Sequence, residues 1–148
     1  MQQNKILRDF RRLYKLYEDG AVFTAFDTET TGLSPTSNRI IEIGAVKFNK
    51  DGIISRWDQL INPNVLIPPF ITQLTHISQE MVDVNNTIDC YLPSFLELIN
   101  NTILIGHNVQ FDLNFVNAEL ERCGMNLLKN KCIDTHQYAR WAYPTLGK

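Results

Sequence analysis

A chain of 148 residues suffices for one hydrophobic core and leaves no room for a second domain. A hydrophobic content of 44% and a charged content of 20% are those of an ordinary globular protein and exclude a disordered one. With 14 basic residues against 16 acidic ones the net charge is −2, so bulk electrostatics does not mark a nucleic-acid binder. Such a partner would have to be met through bound cations or through few contacts.

Cys90, Cys123 and Cys132 are odd in number and lack paired spacing, which predicts core thiols in a reducing cytosol rather than a disulfide framework. Cys132 and His136 stand four apart but lack the two further ligands of a zinc site. No stretch reaches the ~18–20 apolar residues of a membrane span. The charged N-terminus has no apolar signal region, so the expectation is a cytoplasmic protein with no membrane partner.

Residues 4–18 read as an amphipathic helix, with Ile6, Leu7, Phe10, Leu13, Tyr14 and Tyr17 on one stripe and Lys5, Arg8, Arg11, Arg12 and Lys15 around it. The basic face reads as solvated, with a phosphate-contacting arm as the alternative. Asp19-Gly20 stops this helix, so residues 1–20 form an N-terminal segment ahead of a domain at 21–148. Strands are predicted at 21–28, 40–48 and 52–61, the last two joined by the hairpin link Asn49-Lys50-Asp51-Gly52. A Pro-rich connector at 62–69 enters a short helix at 70–74, and Ser78 opens another turn with Met81 and Val82 as its apolar face. Residues 87–100 are helical by periodicity, with Pro93 marking a kink or a late start. A buried strand follows at 102–106, and then a helix at 110–123 with the apolar rows Phe111/Phe115/Ala118 and Leu113/Val116/Leu120/Cys123. A last short strand is expected at 131–134 and a helix start at 136–143. A hairpin followed by strand–helix alternation predicts an α/β protein with a mixed sheet and helices on its faces.

Two segments carry chemistry. In Asp27-Thr28-Glu29-Thr30-Thr31-Gly32 the two carboxylates at i and i+2 of a strand share a face, at the end of an otherwise apolar run. Buried like charges are costly unless a metal holds them, although two acids turning into solvent would leave the same trace. In Gly106-His107-Asn108-Val109-Gln110-Phe111-Asp112 a buried strand ends, the chain turns, and Asp112 falls in the first turn of the next helix. Strand ends at the edge of an α/β sheet are where ligand sites collect. The plainer alternative has Asn108 capping the helix and Asp112 favouring its dipole.

Together, DTETTG and the downstream GHNVQFDLNF resemble the first two exonuclease motifs of the DnaQ-like, or DEDD, superfamily, and most closely its proofreading epsilon-subunit group. The similarity extends to IIEIGAV at 40–46 and LTHISQEMV at 74–82, and covers about residues 22–140. The resemblance implies a ribonuclease-H-like fold, a central five-stranded mixed sheet flanked by helices. It implies a 3′→5′ exonuclease releasing nucleotides from the 3′ end of single-stranded DNA, with a DNA polymerase III catalytic subunit as protein partner. Asp27, Glu29 and Asp112 would be the catalytic and metal-binding residues. They would hold two Mg²⁺ or Mn²⁺, hard cations that prefer oxygen ligands, to activate a water and stabilise the departing 3′ oxygen. Thr30, Gly32 and Leu33 would meet the terminal nucleotide, and His76, Asn108 and Phe111 would lie near the substrate.

The family's third motif, a histidine or tyrosine with a final aspartate, has no counterpart before Lys148. His107 and Asp112 have its spacing but belong to the second motif. The expectation is a fragment, nearly inactive alone. An exoribonuclease of the RNase T or oligoribonuclease kind, acting on RNA, is the alternative enzyme, and a non-catalytic nucleic-acid-binding module of the same fold is the alternative from another class.

Overall fold

The computed structural model describes residues 4–137. Its centre is a five-stranded mixed sheet in the order β3-β2-β1-β4-β5, built from β1 (Phe23–Thr30), β2 (Ile40–Asn49), β3 (Gly52–Leu60), β4 (Ile103–Gly106) and β5 (Cys132–Asp134). The first three strands form the predicted antiparallel meander, with Asn49 opposite Gly52 across the hairpin. Gly52 has φ +128, a conformation that explains a glycine at that turn. β4 runs parallel to β1, and β5 parallel to β4.

The helices are α1 (Phe10–Glu18), α2 (Pro69–Thr75), α3 (Gln79–Asp83), α4 (Leu92–Ile99) and α5 (Val109–Arg122). Pro93 marks a late start: residues 88–90 form a 3-10 turn, and α4 begins at Leu92 with the proline in its first turn, where a missing N–H costs nothing. Ser78 caps α3 and Val82 is its buried residue, whereas Met81 is exposed. The main core joins Phe26, Ile43 and Leu104 of the sheet to Phe95 of α4 and Leu113, Phe115 and Leu120 of α5. A second cluster seats Ile71, Ile77 and Val82 on Ile41 of β2.

The N-terminal segment departs from expectation. Residues 4–9 are not helical: Ile6 bridges Cys132, the Leu7 N–H donates to Cys132 O at 2.7 Å, and the Cys132 N–H donates to Lys5 O at 2.8 Å. The short strand β5 has an open edge, and pairing with it satisfies backbone groups that a helix would have satisfied within itself. Leu7 is buried with Phe23 and Ile133, while Asn4 donates to Leu128 O and Asn130 O. The helix starts only at Phe10, where the Asp9 carboxylate accepts from the N–H groups of Arg11 and Arg12. The cysteines divide as well: Cys132 is buried, but Cys90 and Cys123 are exposed. The chain is helical again at 135–137, and the rest of the helix expected at 136–143 lies outside the described residues. Among the described residues no helix is long and apolar enough to cross a membrane.

Candidate active site

β1 outruns its parallel neighbour. β4 pairs only with Phe23, Thr24 and Ala25, so the second half of β1 has no strand on that side. Asp112, in the first turn of α5 and 3% exposed, takes the vacated position. Its Oδ1 accepts the Thr28 backbone N–H at 3.0 Å and the Thr28 hydroxyl at 2.5 Å. Asp112 is thereby bonded to Thr28, the residue between Asp27 and Glu29.

Gly106 makes this approach possible. A Cβ there would stand 2.9 Å from Cγ2 and 3.2 Å from Cβ of Val109, closer than packed atoms tolerate, so only glycine lets α5 begin so near the strand. The turn is held from the other side by Asp134, whose Oδ1 accepts the N–H groups of Asn108 at 2.9 Å and His136 at 3.0 Å. Asn108 has left-handed backbone (φ 56) and no side-chain capping bond, so it turns the chain and does not cap the helix. Asp112 in the first turn does stand where the helix dipole favours a negative charge.

Alternation along β1 leaves Asp27 exposed and Glu29 half-buried, with Thr28 and Thr30 buried on the other face. Burial pushes the Asp112 carboxyl up to about 6, against the Thr28 hydroxyl bond that favours its charged form, and the Asp27 charge pushes it further up. Burial, then Asp27, likewise raises Glu29. A fourth acid joins them: Glu42 lies directly opposite Glu29 in the β1–β2 ladder. Burial, a carboxyl–carboxyl hydrogen bond with Asp58, and the charges of Asp58, Glu29 and Asp27 push it up to about 7. Glu42 and Asp58 were not singled out in the sequence. The signal was there, in a lone acid within the apolar IIEIGAV strand.

Oxygen donors that raise one another's pKa form a set short of positive charge, and that chemistry fits a hard divalent cation. Among the described residues no group of three or more His, Cys, Asp or Glu is arranged as it stands to hold a metal ion. Asp112 is bonded to Thr28 instead. Beside Asp27 a cleft of about 630 Å³ opens over the sheet, lined by Arg56, Asp58, Ile105, His107 and Thr135 among others. His107 and His136 pack edge to face, with ring centres 4.9 Å apart.

The residues expected near substrate behave differently from one another. Leu33 is 84% exposed, the side chain of a loop that projects it into solvent. Thr30 is buried and its hydroxyl donates to Gly32 O at 2.6 Å, so that hydroxyl is spent within the turn. A Cβ on Gly32 would lie 2.5 Å from Asn38 Oδ1, which accounts for the glycine by packing alone. Phe111 is half-buried and packs against Phe115 at 4.9 Å between ring centres. His76 is exposed and ends α2 with left-handed backbone, φ 63.

A mixed five-stranded sheet in this order, flanked by helices, is the ribonuclease-H-like fold of exonucleases. The family model described as Exonuclease, RNase_T, matches residues 24–148, and the chain belongs to that family. Divalent-metal dependence is general to it. Among curated proteins the chain is 46% identical over 127 residues to a DNA polymerase III subunit epsilon of Treponema pallidum, covering 85% of this chain and 59% of that protein. It is 44% identical over 126 residues to a DNA polymerase III PolC-type of Clostridium perfringens, covering 85% of this chain and 9% of that one. The chain therefore spans less than two thirds of the first of these relatives and under a tenth of the second. Among solved structures the fold matches an exonuclease X in complex with 5′ overhanging duplex DNA, with TM-score 0.65, 24% identity, and coverage of 83% of this chain and 65% of that one. It also matches an apo exonuclease I, with TM-score 0.74, 19% identity, and coverage of 86% and 32%.

Proposed function

We propose that residues 21–148 belong to the nuclease domain of a 3′→5′ exodeoxyribonuclease that proofreads for a DNA polymerase III catalytic subunit. The observation that carries this reading is the bond from Thr28 to Asp112, which ties the second motif to the strand of the first. The polymerase assignment is supported by relatives that are polymerase III epsilon and PolC-type proteins.

Asp27, Glu29 and Asp112 are the residues that would hold two Mg²⁺ or Mn²⁺. When bound, such ions would supply charge for the developing oxyanions and lower the pKa of a water so that hydroxide is available to attack phosphorus. The protein's own part is orientation. Thr28 fixes Asp112 through two hydrogen bonds, Gly106 sets the approach of α5, and Asp134 holds the turn between them. Leu33 offers an apolar side chain to the terminal base, and Asn108, Phe111, Thr30, Gly32 and His76 lie along the rest of the strand's path.

The test is degradation of matched single-stranded DNA and RNA oligonucleotides, labelled at the 5′ end, by the full-length protein with Mn²⁺ or with chelator. Cation-dependent shortening of DNA from its 3′ end, faster than of RNA, is expected. Faster RNA trimming would move the protein to the exoribonuclease reading, and binding without cleavage to the non-catalytic one.

A further inference from the structure

Among the described residues the most deeply buried charged side chain is that of Glu119, 1% exposed on the third turn of α5. Two arginines meet it. Arg39 Nε donates to both carboxylate oxygens, at 2.9 and 3.2 Å, and Arg122 Nη1 donates to Oε1. Burying a carboxylate is costly unless it is paired on several sides, so a chain that does so has fixed these three groups in one arrangement. Both arginines lead to the same place. Arg39 closes the loop at 31–39: the Thr31 N–H donates to Arg39 O at 2.8 Å, and the Arg39 N–H donates to Thr31 Oγ1 at 3.0 Å. Arg122 Nη2 donates to Pro35 O in the middle of that loop, with Asn38 O at 3.5 Å.

The loop is also knitted to itself. The N–H groups of Ser37 and Asn38 donate to Ser34 O, the Ser34 N–H donates to Asn38 Oδ1 at 3.0 Å, and the Asn38 side chain fills the space above Gly32. At the front of this braced loop stands Leu33, 84% exposed. A leucine held out in water by a loop with this many internal bonds gains nothing for the fold, since its burial term is forgone. Its use lies in what it meets.

We propose that Arg39, Glu119 and Arg122 are positioning residues that clamp the 31–39 loop onto α5 and thereby set where Leu33 meets the base of a strand's terminal nucleotide. This rests on the nuclease reading above. The same helix carries Asp112 near its start and Glu119 two turns later, so α5 fixes the carboxylate and the base-contacting loop in one frame.

The experiment uses the full-length protein with Mn²⁺ and two single-stranded DNAs, one ordinary and one whose 3′-terminal residue lacks its base. Arg122→Ala removes the hold on Pro35 and Asn38 from a surface position, and thermal unfolding is followed alongside. On the ordinary end Arg122→Ala is expected to lower kcat/KM by about tenfold or more, within the ~100-fold that small misplacements produce. On the base-less end parent and variant should be equal, because Leu33 has nothing to meet. In a Leu33→Ala background the added Arg122→Ala should cost nothing further. Equal losses on both ends, or full additivity with Leu33→Ala, would overturn the clamp while leaving the nuclease intact. A parent without activity on the ordinary end would instead sink the nuclease reading, and the clamp with it. Should Arg122→Ala prove unstable, Arg39→Lys, which keeps the charge and loses the planar fork, is read in the same way.

Discussion

Glu42 stands directly opposite Glu29 across the antiparallel β1–β2 ladder, and Asp27 lies two residues from Glu29 on the same face. Like charges so placed repel, and the sheet is held in spite of them. Such an arrangement costs the free protein stability, and a cation held there would offset that cost.

The pH dependence follows from the direction of the shifts. Folding raises Asp112 to about 6 and Glu42 to about 7, so between their ordinary values and these the folded state binds more protons than the unfolded one. Stability contributed by these groups is therefore lost as pH rises from about 4 to about 7. Thermal melts in chelator should show Glu42→Gln more stable than the parent at pH 7.5 and equal to it at pH 4. Mn²⁺ should raise the parent's Tm more at pH 7.5 than at pH 5. An equal cation increment at both values would contradict this account.

Thr28→Val keeps the strand and the backbone N–H but removes the hydroxyl that holds Asp112 Oδ1. A hydrogen bond to a charged group is worth about 1.5–3 kcal/mol, and losing its orientation should slow 3′ trimming by roughly ten- to a hundredfold. Circular dichroism of the variant should be unchanged. Parental rates would show that Thr28 does not orient the carboxylate.

At Gly106 an alanine would drive its Cβ into Val109. Gly106→Ala should cost about 1–3 kcal/mol by overpacking and should lower activity as α5 is pushed from β1. Adding Val109→Ala removes the obstructing methyls and should restore part of the lost rate despite the smaller core. A double variant no better than Gly106→Ala would place the effect elsewhere.

The edge pairing of the N-terminal segment gives an independent check. Leu7 packs against Phe23 and Ile133, so Leu7→Ala should destabilise by about 2–4 kcal/mol in urea unfolding, while exposed Arg8→Ala should change little. Near-equal effects would argue against the strand-like placement of residues 5–7.

That segment also shows where sequence reasoning stops. Ile6, Leu7 and Phe10 fit a helical stripe, but the edge of β5 about 125 residues away competes for the same backbone groups, and no local pattern reports it. Asp9 was the readable sign of the true helix start. The strands were legible because their signals are local: β-branched runs, the Asn49–Gly52 hairpin, and Pro93 setting the start of α4. At the site, the alternation that gives Asp27 and Glu29 a common face follows from the strand itself. The bond of Asp112 to Thr28 depends on β4 ending at Gly106, which is a property of the assembled sheet. Glu119 was hidden for the same reason, since its partner Arg39 lies 80 residues earlier.

The most direct test of the central claim compares full-length parent and Asp27→Ala on a 5′-labelled single-stranded DNA with Mn²⁺, following stepwise loss from the 3′ end. Asp27 is exposed, so its removal should leave the fold intact and slightly relieve repulsion in the metal-free state. Loss of a ligand carboxylate from a metal-assisted hydrolysis should lower the rate by at least about a hundredfold. Equal rates for parent and variant, or products shortened from the 5′ end, would contradict the assignment.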